Sequence, residues 1–305
     1  MHTRFAQARV FAVTALTVTA LTVTACASGP GSSPRFRADT QHTDTTTTDA
    51  SVRGQGQLLS AFFGLDNELP RLTSLGLCRG AGKADGMPVI FDREVDVPTL
   101  QAGDFRVRTR SGHVGTLRCV TLKPAIDAGE LRTVLLVGDF GSAPSDPPVS
   151  VEIVGTVYSA DRRVNYKSAR ITVTALEAGP TLVLAEAVPA SQSPLSATTG
   201  SGCPEPTVQI IRAVWAGGVV TANGDEPGDA ERVRYQVRLE QRDGRVQTVV
   251  PFALADLDDG DNNHLLCLDV PGTPLTLSFP AGHLIDPNGD LNPATEVRIT
   301  PTPTP

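Results

Sequence analysis

The chain has 305 residues, with 28 Gly, 24 Pro, 5% aromatic and 19% charged residues. That mixture favours short strands joined by many turns over long helices. The formal charge of -7 gives a surface that repels phosphate backbones and anionic headgroups, which excludes nucleic acid as a partner through bulk charge.

Residues 1–25 read as an export leader. Arg4 and Arg9 precede VFAVTALTVTALTVTA, Val10–Ala25, which carries no charge and is short and Thr-diluted for a permanent membrane span. The run ends in V-T-A-C, Val23–Cys26. This stretch resembles the lipobox of bacterial lipoproteins, an aliphatic residue and two small ones ahead of a cysteine that becomes residue one. The resemblance implies lipidation at Cys26, with diacylglycerol on the thiol and a further acyl chain, such as palmitate, on the new amine. It also implies a membrane partner through that anchor and a place on the exported face of the bacterial cell envelope. Two or three acyl chains anchor stably where one is marginal.

Residues 26–55 read as the lipidated cysteine and a disordered, Thr-rich tether, containing TQHTDTTTTDASVRGQG and almost no large apolar side chain. A coil of that length spans roughly 30 Å. GQLLSAFFG, Gly56–Gly64, is predicted to make one or two helical turns. Strand patterns follow: MPVIFD, DFRVRT, LRCVTL, RTVLLV, VSVEIVGTVY, ARITVTA and TLVLAEA fill a first sandwich over 56–190. SQSPLSATTGSG is a linker over 191–202. A second sandwich over 203–300 holds TVQIIRAVW, RVRYQVRL, RVQTVV, LLCLDV, PLTLSF and TEVRIT, and PTPTP, 301–305, is a Pro-rich tail. In RVRYQVRL the residues Val233, Tyr235, Val237 and Leu239 alternate with polar ones, which predicts one dry and one wet sheet face. The architecture expected is all-β, two sandwiches in series.

Four cysteines remain after Cys26: Cys78, Cys119, Cys203 and Cys267. Four allow three pairings, and the economical one is Cys78–Cys119 and Cys203–Cys267, one in each half. Trp215 is expected in the second core, against the Cys203–Cys267 bridge. In MPVIFDREVDVPTLQAGDFRVRT, Met87–Thr109, an apolar strand is followed by Val95-Asp96, Thr99-Leu100 and Asp104-Phe105. This resembles the bacterial Ig-like domains of cell-surface proteins, and the DPNGDLN turn is similar to a polar turn late in those domains. The resemblance implies an Ig-like fold for the sandwiches; it carries no function.

The chemistry concentrates in DLDDGDNNH, Asp256–His264, and DPNGDLN, Asp286–Asn292. Calcium takes six to eight oxygens from carboxylates, carboxamides, carbonyls and water. Asp256, Asp258, Asp259 and Asp261 crowd one loop, and Asp286, Asn288 and Asp290 fall at alternate positions of the other, so calcium (Ca2+) is the candidate cofactor. The spacing is not that of an EF-hand, since the glycine is fourth and the twelfth residue is Val297. Tight turns explain DPNGD equally well; they leave the repulsion within DLDDGD unrelieved. No G-x-S-x-G, S-x-x-K or H-E-x-x-H occurs in the chain.

Three functions are weighed. The first is a non-enzymatic envelope lipoprotein that binds or positions a cell-wall or envelope protein ligand. The second is a metal-dependent hydrolase using Asp256, Asp258, Asp261 and His264. The third is a lipid or glycan carrier with a large apolar cavity. A deep pocket at the acidic loops would favour the second, and an internal apolar cavity the third.

Overall fold

The computed structural model describes residues 39–40, 54–71, 78, 80–188, 202–257 and 259–301. The export leader, Cys26, most of the tether and linker, Asp258 and most of the Pro-rich tail lie outside the described residues. The fold is nearly all β. Its strands are β1 (Asp39–Thr40), β2 (Gly54–Gln55), β3 (Leu58–Ala61), β4 (Asp85–Phe91), β5 (Phe105–Thr109), β6 (Thr116–Thr121), β7 (Thr133–Asp139), β8 (Pro148–Ile153), β9 (Val164–Asn165) and β10 (Arg170–Thr172). They continue as β11 (Leu182–Val188), β12 (Gln209–Trp215), β13 (Gln236–Glu240), β14 (Val246–Val249), β15 (Ala253–Ala255), β16 (Asn263–Leu268), β17 (Thr273–Phe279) and β18 (Thr295–Pro301). One helical turn, α1 (Asp229–Arg232), precedes β13. Among the described residues no helix is long and apolar enough to cross a membrane.

In the first half a five-stranded sheet, β1-β6-β7-β4-β3, packs over a three-stranded one, β10-β8-β5. Alternation fixes which side chains meet between them. In β5, Phe105, Val107 and Thr109 point inward while Arg106 and Arg108 stay half-buried. Phe105 and Val107 join Phe91, Val134, Leu136, Val151 and Tyr166 in one core. Each such large apolar side chain, fully buried, stabilises by about 1.5–3 kcal/mol. The second half is a single eight-stranded sheet, β14-β13-β17-β18-β11-β12-β16-β15. Residues from both of its arms share one core built on Trp215, Tyr235, Val237, Leu266, Leu277 and Phe279, so the sheet curls over itself as a sandwich. The two arms of the curl meet at β18, which is antiparallel to β17 and parallel to β11.

Both disulfides form as expected, Cys78 with Cys119 and Cys203 with Cys267. Each bridge sits in its own small apolar cluster outside the main cores.

Four local expectations are corrected. GQLLSAFFG is not helical: its centre is β3, paired with β4, because a segment this short bounded by Gly56 and Gly64 cannot repay helix nucleation. RVRYQVRL is a strand only from Gln236. Its first residue ends α1, where the Glu231 carboxylate accepts the Gly228 N–H at 2.9 Å and two acids occupy the first turn. Val233 is consequently 48% exposed rather than inward. TLVLAEA lies in the second sheet, paired with β12 and β18, and the two cores divide between Val173 and Leu182. Trp215 packs edge-on against Tyr235 and Phe279, away from the Cys203–Cys267 bridge, because Trp215 and Ile210 lie on opposite faces of β12.

The described residues beyond Phe36 form one compact unit, and a buried ionic group joins its halves. Glu186 on β11 stands directly opposite Arg212 on β12, and Arg132 reaches it from just ahead of β7. Glu186 Oε1 accepts from Arg132 Nη2 at 2.9 Å and from Arg212 Nη1 at 3.0 Å. Arg212 Nη2 also donates to the Ala128 carbonyl at 2.8 Å, which draws the 125–130 turn of the first half onto the second sheet.

Candidate functional site: a buried acidic centre

That turn has the sequence AIDAGE, and it carries two acids inward. Glu130 Oε2 accepts the Asp127 N–H at 3.2 Å, and the Glu130 N–H bonds the Asp127 carbonyl at 3.1 Å. Gly129 is required here. Its φ is +93°, and a Cβ would meet the Arg212 guanidinium at 2.0 Å.

The opposing wall is the acidic loop between β15 and β16. Asp256 adopts φ +65°, a conformation unfavourable for a residue with a Cβ, and its side chain is 3% exposed. Asp259 Oδ1 accepts the Asp261 N–H at 3.2 Å; Asp261 accepts the Asn263 N–H at 2.6 Å and Asn263 Nδ2 at 2.9 Å. Glu226 holds the turn from outside by accepting the Gly260 N–H at 2.7 Å.

The two walls bring five carboxylates together. Oxygens of Asp127, Asp256 and Asp259 lie within 4.8 Å of one another, as do those of Glu130, Asp259 and Asp261. Glu130 is 1% exposed, and its Oε1 has no hydrogen-bond donor; the same holds for Asp256 Oδ2 and for the side-chain oxygen of Asn263. The electrostatic consequence is large. Burial, then contact with Asp256 and the charge of Asp261, push the Glu130 carboxyl far above the carboxylate range, with Arg212 opposing. Burial and the neighbouring Asp259 raise Asp261 to about 7, and burial raises Asp259 to about 6.

His264 adjoins this centre, held by a chain in which Trp215 Nε1 donates to the Tyr235 hydroxyl at 2.9 Å and that hydroxyl meets His264 Nδ1 at 2.7 Å. Burial pulls His264 down to about 4, so the ring is neutral at pH 7. The void among Asp256, Asp259, Asp261, Asn263 and His264 is about 10 Å³, the room of roughly one water or ion. A larger apolar cleft of about 270 Å³ lies beside it, walled by Phe62, Leu65, Leu122 and Leu135 together with Gly260 and Pro287.

Of the residues singled out from sequence, Asp256, Asp259 and Asp261 meet in this centre and Asp258 lies outside the described residues. Asp286, Asn288 and Asp290 form a separate turn. There Gly289 bonds the Asp286 carbonyl at 3.0 Å, the Asp290 N–H bonds Asp286 Oδ1 at 2.8 Å, and Asn288 Nδ2 donates to Asp290 at 2.6 Å. Asp127 and Glu130 escape a sequence reading, since AIDAGE has the form of an ordinary turn. The available signal is two acids in an otherwise apolar segment with no basic residue between them. No protein family model matches the chain, and no curated protein is significantly similar to it.

Proposed function

We propose that the chain is a lipid-anchored protein of the bacterial cell envelope whose Ig-like halves serve a non-catalytic binding or scaffolding role. The observation that supports this best is the closure of the acidic centre. A hydrolase needs substrate within reach of its carboxylates; the void of about 10 Å³ beside Asp256 and Asp259 admits an ion and no organic group, and Asp261, which also borders the apolar cleft, is buried. His264, one of the residues named for the rival hydrolase, is buried and engaged with Tyr235. A lipid carrier needs an apolar site larger than the cleft, whose 270 Å³ falls below the roughly 300–1,000 Å³ of pockets for drug-sized ligands; the hollow of about 510 Å³ beside Gln55, Gln57 and Ser168 is mostly polar. Sheets joined by a buried Arg–Glu–Arg group make a stiff block suited to presenting a surface.

The test has two arms. The full chain should take up a fatty-acid probe and fractionate with membranes, and Cys26→Ser should abolish both; unchanged labelling would remove the anchor. The purified protein should bind isolated envelopes saturably and leave ester, glycoside and peptide substrates intact. Turnover that disappears in Asp256→Asn would replace the binding role with an enzyme.

A further inference from the structure

Glu130, Asp256, Asp259 and Asp261 bring four buried or half-buried carboxylates together, the last three lining an ion-sized void, and they need a compensating positive charge. Arg212, whose charge acts on Glu130, is already committed to Glu186 and the Ala128 carbonyl. Leaving several ionised carboxylates buried without a counter-ion costs several kcal/mol each, so the centre must hold protons or a cation. A single shared proton can join Glu130 to Asp256. It leaves Asp259 and Asp261 beside the same void, and it does not supply the Asn263 side-chain oxygen with a partner.

We propose that Asp127, Glu130, Asp256, Asp259 and Asp261 form a calcium site that ties the AIDAGE turn of the first core to the acidic loop of the second. All the donors are hard oxygens, which suits calcium and magnesium and does not suit the metals that favour thiolate or imidazole. Oxygens on opposite sides of calcium, each at 2.3–2.6 Å, stand about 4.6–5.2 Å apart. The oxygens of each trio, Asp127 with Asp256 and Asp259, and Glu130 with Asp259 and Asp261, lie within 4.8 Å of one another, so each trio already fits around such an ion, and Asp259 belongs to both. Magnesium keeps several waters at shorter distances, and a void of about 10 Å³ has no room for them. The orphaned oxygens of Glu130, Asp256 and Asn263 supply the coordination positions that hydrogen bonds have left open. The site is independent of the lipid anchor, because both walls belong to the folded halves.

The lone tryptophan makes the site observable. Trp215 and Asn262 exchange backbone and side-chain hydrogen bonds at 2.9 and 2.7 Å, which sets the indole close to the acidic loop. Full-length protein purified in detergent and stripped with chelator should show terbium luminescence on exciting Trp215, and calcium should displace the terbium. Calorimetry should give one calcium per chain, with magnesium at least tenfold weaker, and calcium should raise the melting temperature by several degrees. Glu130→Gln and Asp259→Asn should each weaken calcium at least tenfold. In chelator, both variants should melt at or above wild type, because the repulsion is relieved; this shows that they fold. Asp290→Asn, in the separate turn, should bind calcium as wild type does. The proposal is overturned if millimolar calcium at pH 7.5 produces neither heat nor terbium displacement, since the centre is then held by protons. It is equally overturned if Asp290→Asn, and not Glu130→Gln, abolishes binding, or if magnesium binds as tightly as calcium.

Discussion

Replacing Glu186 with Gln removes the one anion shared by Arg132 and Arg212 while nearly preserving its shape. The side chains of Arg132, Arg212 and Glu186 are 5%, 6% and 2% exposed, so solvent screens the group little. Unit charges about 4 Å apart attract by roughly 4 kcal/mol per pair at an effective dielectric of about 20. Repulsion between the two guanidiniums and the dehydration of all three groups offset much of that. Removing one member of a buried pair costs about 3–5 kcal/mol. Gln keeps a carbonyl for one guanidinium, and backbone acceptors remain, Gly129 O for Arg132 at 3.1 Å and Ala128 O for Arg212. The expected loss is therefore about 3 kcal/mol, the lower end of that range. Urea unfolding of the full chain in chelator measures it. With a slope of about 1–3 kcal/mol per molar, the midpoint should fall by about 1 M or more at unchanged slope. A midpoint shift worth less than about 1 kcal/mol would refute the reasoning. It would mean that Glu186 is solvated or that the acidic centre takes over both guanidiniums.

Three further outcomes follow from other parts of the molecule. Gly129→Ala places a methyl group on the Arg212 guanidinium at a positive φ, and urea unfolding should show a loss exceeding about 1 kcal/mol. Replacing Cys203 and Cys267 together by Ala opens a loop of 64 residues and should cost about 2–4 kcal/mol by the same assay, with the remaining bridge intact on non-reducing peptide mapping. Burial raises Asp85 to about 6 and Asp104 to about 7, so the folded chain keeps protons that the unfolded chain releases above about pH 4. The stability linked to those protons is present near pH 4 and is lost as pH rises through 6 and 7. Melting temperature in chelator should therefore fall from pH 5 to pH 8, and Asp104→Asn should flatten the slope.

What could be read from the sequence is what is local. Val237 and Leu239 alternate with Gln236, Arg238 and Glu240, and the strand follows from that period alone. The same period misleads at Val233, because the capping carboxylate of Glu231 outweighs alternation over one turn. LVLAEAV is buried or half-buried on both faces, and its one charged residue, Glu186, is itself buried, so no alternation says which sheet it joins. Parity along β12 would have separated Trp215 from the bridge, since odd and even positions face opposite ways. Asp256 and Asp261 stood out by crowding, whereas Asp127 and Glu130 reach them only through a fold in which Arg212 pins a distant turn. Pairing across sequence distance is a tertiary outcome, and no local pattern encodes it.

The position of β18 has a consequence for how the chain is made. Thr295–Pro301 lies between β17 and β11, so the second sheet has a gap at its middle until those residues are available. A chain that emerges from its N-terminus keeps its second half open until Thr295–Pro301 has emerged, and closure over that sequence distance is slow. A product cut short before Thr295 would present β11 and β17 as two raw edges facing the same slot. Such edges pair readily with other chains, and the strand missing from one truncated molecule is a strand that any neighbour could supply.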